Sequence, residues 1–254
     1  MTKIICSLLI LFSSQTIFSQ YSETITSGRP GQAIGPRTVG QNVIQIQSGF
    51  TYNQISFDET QNQSAVMTNV FRWGVLEHLE VSSVLVWQND KFSDFDTESI
   101  TRGVSNTQIG LRYNFTTNQG WIPAIGFQGR LLLKLQDRNY RRDKLGTAFV
   151  LVTSNNLSDS FTISTNWLLN YLGDGAGPNY GYVLNLAYSI SDKWGSFFEI
   201  YGSLNDFNTD IDLGFFYLVN NDLQLDVSYG FQNESSISNW FVDAGISWRF
   251  DWRK

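Results

Sequence analysis

The chain is short of most of the residues that chemistry usually needs. It has one cysteine and one histidine, and it carries no basic excess, its formal net charge being −6. The cysteine, Cys6, lies in the apolar stretch Ile4 to Phe12, behind Lys3. A basic residue, a short apolar run and a small residue at Ser19 read as a cleaved secretory signal over residues 1–19. Cleavage after Ser19 leaves no thiol, hence no disulfide, no thiolate metal site and no cysteine nucleophile. The histidine, His78, falls in a short predicted periplasmic turn, the wrong end for the His, Ser and polar third residue that a barrel phospholipase needs near the outer leaflet, so no enzyme is expected. An acidic chain lacks the basic face that nucleic acid requires. Beyond the signal there is no run of eighteen apolar residues, which excludes a transmembrane helix.

Aromatic residues, at 15%, are plentiful, and apolar and polar residues alternate. In Ile211 to Gly230, Ile211, Leu213, Phe215 and Tyr217 share one face, and Asp212, Gly214 and Phe216 the other. After the turn Asn220-Asn221-Asp222 the pattern resumes with Leu223, Leu225, Val227 and Tyr229 against Gln224, Asp226, Ser228 and Gly230. Period two is the β-strand signal. Apolar faces ending in aromatic residues suit strands that face lipid, with the polar face toward a lumen.

Twelve such runs follow: 43–53, 64–75, 78–90, 104–115, 121–135, 145–155, 160–172, 179–190, 193–204, 208–219, 222–232 and 238–250. An even count of about ten-residue runs predicts an all-β, twelve-stranded antiparallel transmembrane barrel of the outer-membrane type over 43–254. Connections alternate: short at 76–77, 116–120, 156–159, 191–192 and 220–221, longer at 54–63, 89–103, 136–144, 173–178, 205–207 and 233–237. Short periplasmic turns and longer outer loops then put both termini in the periplasm of a bacterial cell. Trp73, Tyr113, Trp121, Phe161, Tyr188, Trp194, Tyr217 and Trp248 fall at one predicted end. Tyr52, Trp87, Tyr171, Tyr182, Tyr229 and Trp240 fall at the other, predicting two interfacial girdles.

Charge gives the candidate site. Alternation turns Arg72, Arg112, Arg130 and Lys134 inward from runs two, four and five. It turns Glu199, Asp212, Asp226 and Asp243 inward from runs nine to twelve. Arg or Lys facing lipid costs ~2–4 kcal/mol at the midplane, which supports the inward assignment. Two arrangements suit this split: a salt-bridge network filling a narrow lumen, or a transverse field across a wet constriction. Asp206, Asn208, Asp210 and Asp212 alternate like calcium ligands, but the glycine turn and distal glutamate of that loop are missing. No metal or cofactor is called for.

Residues 20–42 have no periodicity and hold two of the four prolines and four glycines. This irregular segment is either a lumen plug or a solvated tail. As a plug, Arg29 or Arg37 would reach the carboxylates of Asp212, Asp226 and Asp243.

Ser27-Gly28-Arg29-Pro30-Gly31-Gln32, then Gln47-Ser48-Gly49-Phe50-Thr51-Tyr52, resemble the opening of the outer-membrane barrels named for the meta-pathway of phenol degradation. Leu218 to Asp226 and Gly245 to Arg249 resemble that family's closing hairpin. The resemblance implies a transporter or channel for passive movement of a small, aromatic or hydrophobic solute, in contact with outer-membrane lipid. The alternatives are a structural or assembly barrel with a sealed lumen and, less favoured, a lipid-modifying enzyme.

Overall fold

The computed structural model describes residues 22–234 and 237–252; the predicted signal lies outside them. The strands are β1 (Val43–Phe57), β2 (Thr60–Leu76), β3 (Leu79–Asp94), β4 (Thr97–Thr116), β5 (Ala124–Leu132) and β6 (Gly146–Asn156). They continue as β7 (Phe161–Tyr171), β8 (Asn179–Ser189), β9 (Trp194–Ser203), β10 (Asp210–Asn220), β11 (Leu223–Glu234) and β12 (Ile237–Asp251). Each pairs antiparallel with its chain neighbour, and β12 closes on β1 from Val43↔Asp251 to Ser56↔Ser238. The result is a closed twelve-stranded barrel of the outer-membrane type. Closure leaves no unpaired edge, which a bilayer without water demands of any β structure.

The alternation that forms the strands also sorts their faces. On β10, Asp210, Asp212 and Gly214 are buried inside, while Leu213 and Phe215 are exposed on the outer wall. On β3, Glu80, Ser82, Val84 and Val86 point in, and Val81, Leu85 and Trp87 point out. Interfacial aromatics meet across strands. At the end that holds Val43 and Asp251, here the terminal end, Phe161 packs on Tyr188 and Trp194 on Tyr217, with ring centroids 4.6 and 4.7 Å apart. At the distal end Tyr52 meets Trp240 at 5.7 Å. Rings with a polar tip prefer the headgroup level, so these belts bracket the bilayer.

Two expectations need correction. The long links predicted at 54–63 and 89–103 are mostly strand: β1–β2 turns at Asp58-Glu59 and β3–β4 at Phe95-Asp96. Here polar residues occupy both faces, as in Gln61-Asn62-Gln63-Ser64, so the apolar stripe ends while the ladder goes on. Ladder pairing needs only the backbone N–H and C=O, and the apolar stripe marks only where lipid is. β4, with 20 residues, therefore runs well past the apolar band. Conversely the fifth run, read as 121–135, is a strand only over Ala124–Leu132; Pro123 precedes it, and a loop with one turn of 3₁₀ helix at Arg138–Tyr140 follows.

Candidate functional site

The lumen is occupied by residues 22–40, which enter at the terminal end, cross the barrel and return to β1. None of this stretch pairs as a strand, so its backbone polar groups need partners elsewhere. The luminal side chains supply them. Arg249 donates to the carbonyls of Ser22 and Glu23, both at 2.6 Å. Gln45 and Arg72 donate to the Thr26 carbonyl at 3.2 and 3.0 Å. Gln224 donates to the Arg29 carbonyl at 2.9 Å. Across the lumen, Asn166 both accepts from the Ile34 amide, 2.7 Å, and donates to the Ile34 carbonyl, 3.1 Å. Asn114 donates to the Pro36 carbonyl at 3.1 Å. On the return, the Val39 amide donates to Glu80 at 3.0 Å.

The β9–β12 wall binds this segment through its carboxylates. Arg29 forms ion pairs with both Asp226, at 3.1 Å, and Asp243. Its guanidinium lies over Gly49 and Gly245, Cα partners on β1 and β12, where a Cβ at either position would overlap it. Glu199 takes the amides of Gln32 and Ala33 at 2.6 and 3.0 Å, and the Asn185 side-chain amide at 2.7 Å. Gly31, at φ 93°, allows that approach, since a side chain there would be strained and would strike Glu199 and Phe197. Asp212 is fully buried opposite Glu199 on the β9–β10 ladder and pairs with no cation among the described residues.

The β2–β5 wall is built differently. Arg72 forks onto Glu80, Nε to Oε1 and Nη2 to Oε2, both 2.8 Å, in the bidentate geometry that guanidinium and carboxylate share. Arg112 makes only long bonds, to the Arg37 carbonyl at 3.3 Å and to Gln128 Oε1 at 3.4 Å. Arg130 reaches Gln108 Oε1 at 3.4 Å. Neither of these two meets a carboxylate among the described residues.

Of the charges expected inside, Arg72, Arg112, Arg130, Glu199, Asp212, Asp226 and Asp243 face the lumen, and Lys134 does not. Lys134 lies beyond the last residue of β5, is exposed, and donates to the Asp143 carbonyl at 2.5 Å. Alternation does not carry across a strand end, where the face rule lapses. Arg37 also differs from expectation: its carbonyl receives Arg72 and Arg112, and its side chain pairs with no carboxylate among the described residues. No direct bridge spans the lumen from the basic wall to the acidic one among the described residues; segment 22–40 stands between them. Sequence reasoning missed Glu80 and Arg249, both almost fully buried. The same alternation that selects Ser82 selects Glu80, and Arg249 shares the Asp243 face.

Two cavities flank the segment. One, of about 850 Å³, lies at the terminal end against Thr26, Arg37 and the turns at Asp159 and Asp192. The other, of about 320 Å³, lies deeper, among Arg72, Arg112, Gln128 and Arg130.

Fold and lumen together define an outer-membrane-type β-barrel whose polar interior is threaded by its own N-terminal segment. Residues 27–250 match the family described as the MetA-pathway of phenol degradation, and the chain belongs to that family. No curated protein sequence matches it significantly. Among solved structures it is similar to an outer membrane channel from Pseudomonas putida F1, with a TM-score of 0.66 at 9% identity, covering 87% of this chain and 100% of that one. It is also similar to the KdgM porin in complex with oligogalacturonate (TM-score 0.53, 12% identity, 80% and 99% covered). A third is the toluene transporter TodX of Pseudomonas putida (TM-score 0.52, 10% identity, 91% and 97% covered). At such identities the likeness is one of fold.

Proposed function

We propose that this protein is an outer-membrane channel for passive movement of a small solute, with both termini on the periplasmic side. The observation that carries the reading is the filling of the lumen. Apart from the return at its end, the segment is held mostly by side chains reaching from the wall, and it is flanked by polar cavities of about 850 and 320 Å³. A segment anchored through side chains can shift without breaking the barrel's ladder, so a narrow path can open beside it. The phenol-degradation family, and the toluene transporter that shares the fold, favour an aromatic or hydrophobic solute. The mechanism needs no cofactor: the solute passes between an acidic and a basic wall, whose field orients dipolar molecules.

The number of bonds that the segment makes favours a second reading, a barrel sealed by its own N-terminus and acting through its outer hairpins. Single-channel conductance of the purified protein in a planar bilayer separates the two. Discrete conductance steps support the channel; a silent bilayer containing correctly folded protein supports the sealed barrel.

A further inference from the structure

The 320 Å³ cavity has a chemistry of its own. Arg112, 5% exposed, and Arg130 both line it, and neither has a carboxylate partner among the described residues. Two acids line the cavity and both are engaged: Glu80 by both arms of the Arg72 fork and by the Val39 amide, and Asp243 by Arg29 and by the Thr51 hydroxyl. Four polar atoms in the cavity wall have no hydrogen-bond partner among the described residues: Arg112 Nε, Arg130 Nε, Gln128 Nε2 and Ser82 Oγ. Gln128 and Ser82 are almost completely buried, at 1% and 3% exposure. Three of these four groups can only donate, and the serine hydroxyl can donate as well.

Buried donors are nearly always satisfied, and two buried cations packed beside a third repel unless an anion joins them. Elsewhere in the lumen, arginines do find carboxylates of the chain: Arg29 meets Asp226 and Asp243, and Arg249 meets Asp222. Here the nearest anion, Glu80 across the ladder from Arg112, is already taken by Arg72. We propose that this cavity is a binding site for the carboxylate of a small organic acid. Planar guanidinium forks match the two oxygens of a carboxylate, and the Gln128 amide and Ser82 hydroxyl complete the donor set. The volume exceeds what an inorganic anion fills, and Ile34 and Val70 line the same cavity and offer apolar contact to an organic body. The site rests on the channel reading for its purpose, since it would select among the solutes that enter. Binding itself does not require transport.

The test is thermal unfolding of the detergent-solubilised mature protein, at constant ionic strength in low chloride, with increasing benzoate. Benzamide serves as the uncharged match and inorganic phosphate as the bare anion. Saturable stabilisation by benzoate is expected, with the folding equilibrium shifted about 11-fold at ten times the dissociation constant. Benzamide and phosphate should give much smaller shifts. Arg130→Gln should weaken the benzoate effect. Gln128→Glu, which places a carboxylate beside Arg112 within the chain, should abolish it while the protein stays folded. A benzoate effect that survives in Gln128→Glu, or is equalled by benzamide or phosphate, would overturn the site. Benzoate binding in a protein that conducts nothing would refute the channel and leave the site standing. Conduction without benzoate binding would do the reverse.

Discussion

The two halves of the lumen wall use charge in opposite ways. On the β9–β12 side, Glu199, Asp226 and Asp243 are engaged by the N-terminal segment, through Arg29 and through the amides of Gln32 and Ala33. On the β2–β5 side, of the three inward arginines Arg72 alone finds a carboxylate among the described residues, while Arg112 and Arg130 make long bonds to neutral oxygens. The acidic wall therefore anchors, and the basic wall is left with donors to offer. An acidic wall facing a basic one looks like a network waiting to bridge. The segment prevents that by bringing its own arginine to the acids and its own carbonyls to the bases.

Arg29 is where this contrast can be broken hardest. Arg29→Ala leaves Asp226 and Asp243 buried together without their cation, and removing one partner of such a cluster costs about 3–5 kcal/mol. Urea unfolding in detergent should show a loss of that order, and residues 22–42 should become open to protease in the intact barrel. Full stability with a protected segment would mean that the acids are not its anchor.

Replacing Arg112 and Arg130 together with Ala should do something else. Neither is paired with a carboxylate among the described residues, so the stability loss should be well under that of Arg29→Ala. Reversal potentials across a salt gradient should move toward cation selectivity, because the acidic wall then dominates the field. A large stability loss with unchanged selectivity would reverse the assignment of anchor and free wall.

Arg37→Ala gives the smallest effect. Its contribution to the basic wall is a backbone carbonyl, which alanine retains, and its guanidinium is paired with no carboxylate among the described residues. A stability change within about 0.5 kcal/mol by the same urea titration is expected. A loss comparable to that of Arg29→Ala would show that the two arginines share the anchoring.

These contrasts mark what the sequence can and cannot tell. All twelve strands are legible because a barrel in lipid imposes period two on every crossing, as in Ile211 to Tyr217. The lengths of β1 to β4 are not, because Gln61 to Ser64 pair through the backbone without any apolar stripe. Alternation gives a side chain's face and not its depth or partner. That is why Arg112 can be turned inward while the capture of its neighbour Glu80 by Arg72 stays hidden, and why Lys134, just past the end of β5, is misplaced by the pattern. Glu80 sits one residue inside its strand, and the alternation through Ser82, Val84 and Val86 does turn it inward, though not toward any particular arginine. Arg29 lies in a stretch without any period, so its residue type and position are readable but its two partners, some two hundred residues away, emerge only when β12 closes on β1.

The central claim is that residues 22–40 fill the lumen and limit what passes. Deleting residues 20–38 tests it most directly, because every ladder from β1 to β12 stays intact. Single-channel conductance in a planar bilayer should rise several-fold over the full-length mature protein. Conductance equal to that of the intact protein, with the barrel correctly folded, would contradict the account.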